Sequence, residues 1–97
     1  MRGVPRNVVF EISPRKGKKY RVFFSLGGIE HVLDFGQLEY EHYRDSTPLR
    51  TYTGLNHGDK NRRRLYIARA SKIVDRYGRL TADNPTSPNY WSIRYLW

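Results

Sequence analysis

The residues to weigh first are those able to move protons, attack a carbonyl or hold a metal. His31, His42 and His57 are the histidines. His31 falls on a predicted inward strand face, where a histidine satisfied within the core is the simpler reading. His57 and Asp59 stand at a spacing that two metal ligands could use, but no second pair accompanies them. A structural zinc site wants four ligands, mostly Cys and His, and the chain has no cysteine. That absence also removes disulfides and a thiolate nucleophile. The carboxylates Glu30, Asp34, Glu39, Glu41 and Asp45 cluster along the chain, yet the Glu39/Glu41 spacing matches no paired-carboxylate chemistry. They read as an acidic solvated face. Gly27-Gly28 lies between two apolar runs and reads as a hairpin, not as a phosphate-cradling G-x-G-x-x-G loop. The expectation is a protein that is not an enzyme, with no cofactor, no metal and no small-molecule substrate.

What remains is charge. The 97 residues carry 18 Lys+Arg against 9 Asp+Glu, a net charge of +9. Such a balance calls for an anionic partner. The charge is laid out in blocks: net +6 over residues 1–21, −4 over 30–45, and +7 over 60–79. A uniform polycation suits DNA, whereas alternating patches suit docking between proteins. Lys60-Asn61-Arg62-Arg63-Arg64 opens a predicted helix, where cations oppose the macrodipole. An external anion, phosphate or carboxylate, would relieve that cost. Arg15-Lys16-Gly17-Lys18-Lys19 is a weaker cluster of the same kind. The candidate partner-binding residues are Arg62, Arg63, Arg64, Arg69, Lys16, Lys18 and Trp97.

The elements that must position these residues follow from the apolar pattern. Length allows one small basic domain, residues 1–97. Only 38% of residues are hydrophobic, but 14% are aromatic, so rings must supply much of the core. Asn7–Ile12, Tyr20–Leu26 and Ile29–Phe35 read as strands of an antiparallel meander. Ser13–Lys18 and Gly27-Gly28 are its turns. Tyr20, Val22, Phe24 and Leu26 share one face. Gly36–Asp45 is undecided between a helical turn and extended chain, and Ser46–Gly58 is a loop. Asp59–Tyr77 is the main helix, with Asp59 as N-cap and Gly78 past its end. Its stripe of Tyr66, Ala70, Ile73 and Tyr77 should lie on the sheet. Trp91, Ile93 and Tyr95 alternate with polar residues and read as an aromatic-rich C-terminal strand. The fold class is therefore α+β: a small antiparallel β-meander packed against one main α-helix. No apolar run approaches a membrane span, and the N-terminal stretch lacks the apolar core of a signal peptide.

Several short patterns coincide in order: Asp34-Phe35-Gly36, Tyr40 and Tyr43, His57-Gly58-Asp59, and Arg62-Arg63-Arg64 leading into Tyr66-Ile67-Ala68-Arg69. Ser87-Pro88-Asn89-Tyr90-Trp91-Ser92 and a closing Leu96-Trp97 follow. Over residues 34–97 the chain resembles a family of small basic proteins encoded by large nucleocytoplasmic DNA viruses, including those of algae and amoebae. Ala70 departs from the family pattern, which often has His after the Arg; this weakens any role built on that His. The resemblance implies a minor capsid, or cement, protein that ties neighbouring capsid proteins together in the virion, after assembly in host cytoplasm or nucleus. Other capsid proteins are then its partners. The rival expectation is a nucleic-acid-binding virion protein that contacts phosphates through Lys60–Arg64.

Overall fold

The computed structural model describes residues 4–97; Arg2, counted in the first basic block, lies outside them. The first three elements are β1 (Arg6–Ile12), β2 (Lys18–Leu26) and β3 (Ile29–Gln37). They form one antiparallel sheet in the order β1-β2-β3, the predicted meander. Gly27 and Gly28 take φ of 58° and 79°, as a two-residue hairpin between right-twisted strands requires. In β1, Arg6 pairs with Ser25 and Val9 with Phe23, so β1 holds one extra residue there. Asn7 absorbs this bulge at φ 55°, a region that asparagine enters more readily than most residues.

Two helices follow, α1 (Lys60–Ala70) and α2 (Pro88–Tyr95). The tail is thus a helix and not the expected strand. Ser87 caps it, accepting the Asn89 N–H at 3.3 Å, and Pro88 occupies the first turn, where its missing N–H costs nothing. Trp91, Ser92 and Leu96 are buried and Tyr95 half-buried. That i, i+1, i+4, i+5 pattern is one face of a helix. Alternation of Trp91, Ile93 and Tyr95 fitted a strand only because nearly every residue there is large.

The main helix is shorter than its expected span. It begins as predicted, with the Asp59 carboxylate accepting from the Asn61 and Arg62 N–H groups at 2.9 and 3.1 Å. It ends at Ala70 and not at Tyr77. The β-branched pair Ile73-Val74 weakens propagation, and Asp75 offers the backbone a competing acceptor. The terminal Ala70 carbonyl accepts the Ile73 N–H at 3.3 Å and Asn89 Nδ2 of α2 at 2.9 Å. Consequently Ile73 and Tyr77 are exposed and do not lie on the sheet. It is α2 that covers β3, and α1 packs chiefly against α2.

The core is aromatic. Tyr20, Val22, Phe24, Phe35, Trp91 and Leu96 are buried together, with Phe10 and Tyr95 packed against them. Trp91 is the hub: its ring centroid lies 5.0 Å from Phe24, 5.8 Å from Tyr95 and 6.0 Å from Phe10. Its indole Nε1 donates to the Pro85 carbonyl at 2.7 Å, so the one polar atom of the ring is satisfied. Gly36 holds φ +81°, and a Cβ there would sit 2.9 Å from Leu96 Cδ1 and 3.2 Å from the Lys19 side chain. The end of β3 can therefore meet α2 only with glycine at that position.

Candidate functional site: a charged groove between sheet end and helices

The end of the meander, the chain after β3 and the inner faces of both helices enclose a groove of about 740 Å³. It gathers cations from both basic blocks of the sequence: Lys18 and Lys19 from β2, Arg62 and Arg69 from α1. Glu39 and Glu41 of the acidic block stand on its rim, and Leu65, Ile73 and Leu96 give it apolar wall. Arg62 Nη1 donates to Glu41 Oε1 at 3.0 Å across the mouth. That pair is exposed, so it contributes little to stability. Trp97 lines the same groove, half-buried, its ring stacked on Tyr66 at 4.0 Å and 7°.

Lys19 is the buried cation of the groove. Only 2% of it is exposed, and its Nζ donates to the Tyr40 carbonyl at 2.6 Å. Desolvation lowers its pKa to about 8, against the pull of Asp45, which raises it. Lys19 belongs to the Arg15–Lys19 cluster, but strand alternation from Tyr20 gives no sign that both neighbours are buried. Gly36 lies close against the Lys19 side chain at this end, and the Tyr40 carbonyl takes its ammonium.

Beneath the groove lies a buried polar knot that fixes the chain between β3 and α1. Asp45 is its centre. It accepts the Tyr20 hydroxyl, the Thr47 N–H at 3.0 Å, the Thr47 hydroxyl at 2.6 Å and the Tyr52 N–H at 3.0 Å. Burial raises its pKa, but the bonds from Thr47, Tyr20 and the backbone outweigh burial and hold the carboxyl below its usual range. The acidic block is therefore not a uniform solvated face. Asp45 is internal, and Asp34 is held below the usual range chiefly by the Arg21 guanidinium, whose Nε lies 3.0 Å away.

Each histidine makes contacts within the fold. Asn56 Oδ1 accepts from the Asp45 N–H at 2.8 Å and lies 2.7 Å from His42 Nε2. An amide oxygen only accepts, so His42 Nε2 is the donor of this bond. Burial, then Lys19, pushes the His42 pKa down. His57 Nδ1 accepts the Asp59 N–H at 2.9 Å, so this nitrogen is committed to the helix start. His31 is half-buried, its ring stacked on Phe24 at 5.2 Å and 17°. Among the described residues no group of three or more His, Cys, Asp or Glu could hold a metal ion. Among the same residues no helix is long and apolar enough to cross a membrane.

The structure divides the sequence-predicted contact residues. Lys18, Arg62, Arg69 and Trp97 share the groove. Arg63 turns away: its Nε donates to the Trp97 main-chain oxygen at 2.7 Å, and its guanidinium lies 5.1 Å from the Tyr43 ring centre. With Arg44 and Arg94 it lines a second groove of about 570 Å³. Arg64 donates to Asn61 Oδ1 at 2.7 Å, and Arg69 lies 5.7 Å from the Tyr66 ring centre. Lys16 is exposed on the first turn, apart from either groove. At the start of α1 the Asp59 carboxylate accepts from two of the helix's free N–H groups, as expected of its N-cap.

This is a small basic α+β protein, an antiparallel meander closed by two short helices around a mixed-charge groove. A family model matches residues 8–70, and the chain belongs to that family, DUF5754, a family of unknown function. The match takes in the sheet except the first two residues of β1, the polar knot and α1; α2 lies beyond it. No curated protein matches the chain, and no solved structure does.

Proposed function

We propose that this protein is a non-enzymatic docking protein, a minor capsid component of a large icosahedral DNA virus. On this reading the groove receives a segment of a neighbouring capsid protein. The viral context rests on the sequence resemblance over residues 34–97. The observation that carries the docking reading is the lining of the groove. It holds four cations, two carboxylates and an apolar wall. A nucleic-acid backbone would meet Glu39 and Glu41 at the rim and find no use for Leu65, Ile73 or Leu96. An acidic polypeptide segment with one apolar side chain uses all three kinds of lining, and opposite charge fixes its register. The internal commitments of Arg63 and Arg64 also favour this reading over a phosphate contact spread along Lys60–Arg64.

The test is a pair of variants followed by quantitative mass spectrometry of purified particles. Replacing Arg62 and Arg69 together by Ala removes two groove cations from exposed positions and leaves the fold intact. Occupancy in particles should fall several-fold, since charged contacts at an interface are worth about 1.5 kcal/mol or more each when desolvated. Arg64→Ala, outside the groove, should change little. Normal occupancy of the double variant sinks the assignment. Loss with Arg64→Ala alone returns the contact to the phosphate-facing cluster.

A further inference from the structure

The stretch expected to be the last turns of α1 is something else. Val74 and Leu80 pair as an antiparallel bridge, and the chain between them is a tight turn. The Asp75 N–H donates to the Arg79 carbonyl at 2.8 Å, and the Gly78 N–H to the Asp75 carbonyl at 3.0 Å. The Asp75 carboxylate accepts from the Tyr77 and Arg79 N–H groups at 2.8 and 3.0 Å. Its base is pinned as well: the Thr81 N–H and hydroxyl both donate to the Ile73 carbonyl, and Asn89 Nδ2 donates to the Thr81 hydroxyl. The turn is pre-formed, so a ligand would incur little ordering cost on binding it.

What it presents is an aromatic ring among cations. Tyr77 is 67% exposed. The guanidinium carbons of Arg76 and Arg79 lie 4.9 and 5.7 Å from its ring centre. Lys72 stands exposed beside the turn. The acid in this stretch, Asp75, has its Oδ1 engaged by the Tyr77 and Arg79 N–H groups of the turn itself. A guanidinium over a ring occupies the face on which a base would stack, and a base can replace either exposed arginine there while both charges stay beside it for the flanking phosphates. A ring and local positive charge, with Asp75 Oδ1 engaged by the turn's own backbone, suit a ligand that offers both stacked planes and phosphates. Here the setting differs from the groove, where carboxylates and apolar wall favour polypeptide.

We propose that the 74–80 turn binds single-stranded nucleic acid, with Tyr77 stacked on a base and Arg76 and Arg79 on the flanking phosphates. The contact is separate from the groove and does not depend on it. The probe is a fluorescently labelled oligothymidylate of ~12 nucleotides, within the usual footprint of single-strand binders, followed by fluorescence anisotropy as a function of salt. Tyr77→Ala should weaken binding by roughly ten-fold or more, the usual scale for removing one base–aromatic stack. Tyr77→Phe should retain affinity. Arg76→Ala with Arg79→Ala should make the slope of log K against log salt shallower by about 1.4, or ~0.7 for each single-strand phosphate no longer neutralised. Unchanged melting temperatures, expected at such exposed positions, separate these effects from misfolding. The Arg62/Arg69 groove variant should bind the oligonucleotide like the parent. The proposal is overturned if Tyr77→Ala binds like the parent, or if the parent fails to bind at low salt. It is also overturned if the turn variants lose affinity for an acidic peptide while oligonucleotide binding stays the same.

Discussion

Replacing Asp45 by Ala should cost about 3–5 kcal/mol of stability, the range for removing one member of a buried charged network. For a domain of this size that is a fall in melting temperature of about 12 °C or more. The physical reason is the number of donors left behind. The Tyr20 and Thr47 hydroxyls and the Thr47 and Tyr52 N–H groups all converge on this carboxylate. Each, once buried without an acceptor, keeps its full desolvation penalty. Asp45→Asn should lie between, since it keeps one acceptor but aims an NH2 at donors. The acid limb of the stability curve gives a second readout. A carboxyl held below its usual range in the folded chain binds fewer protons there than in the unfolded chain. Its contribution is complete above the usual Asp pKa and is lost as pH falls through the folded value. Asp34 and Asp59 shift the same way, so the informative quantity is the difference between parent and Asp45→Asn. That difference should shrink as the pH falls below ~4, near the ordinary Asp value. A difference independent of pH would mean that the carboxylate charge is not what the knot uses.

Trp91→Ala should cost a similar ~3–5 kcal/mol, the usual loss for deleting a large buried aromatic side chain. Here it approaches the whole stability of a small domain, ~5–15 kcal/mol. The ring touches the sheet through Phe24 and Phe35 and its own helix through Tyr95, and it holds the Pro85 carbonyl. Without it, α2 no longer has its main anchor on β3, and the groove wall that α2 provides loosens. The expected product keeps far-ultraviolet circular dichroism but loses near-ultraviolet signal, the mark of secondary structure without fixed packing. Trp91→Phe should recover part of the loss and leave the Pro85 carbonyl without its donor. A cooperative, parent-like melt of Trp91→Ala would mean that the core does not depend on this hub.

The sheet was legible because strand alternation and the Gly-Gly turn are local signals. Tyr20, Val22 and Phe24 alternate cleanly, and both glycines take positive φ. The Asp59 cap was legible for the same reason. The end of α1 was not, because Tyr66, Ala70, Ile73 and Tyr77 keep a helical period through a segment whose backbone is captured by Asp75. Period alone does not register that competition. The tail misled in the opposite direction, since a run of large residues satisfies strand and helix templates equally. Ser87-Pro88, a cap followed by proline at the first helical position, was the signal that separated them. Of the site, the clusters were visible and their convergence was not. Lys18 lies far in sequence from Arg62 and Arg69 of α1, and they meet only because α2 brings α1 beside the end of β2. Lys19 and Asp45 were hidden in clusters that read as surface charge. Nothing local tells which member of a charged run is buried.

The most direct test of the proposed capsid role is stepwise disruption of purified virus particles, with this protein followed by quantitative mass spectrometry as shell and genome separate. If the protein has that role, it stays with the capsid fraction after nuclease treatment and is released only when capsid proteins part. Release together with the nucleic acid, or absence from the particles, would contradict it.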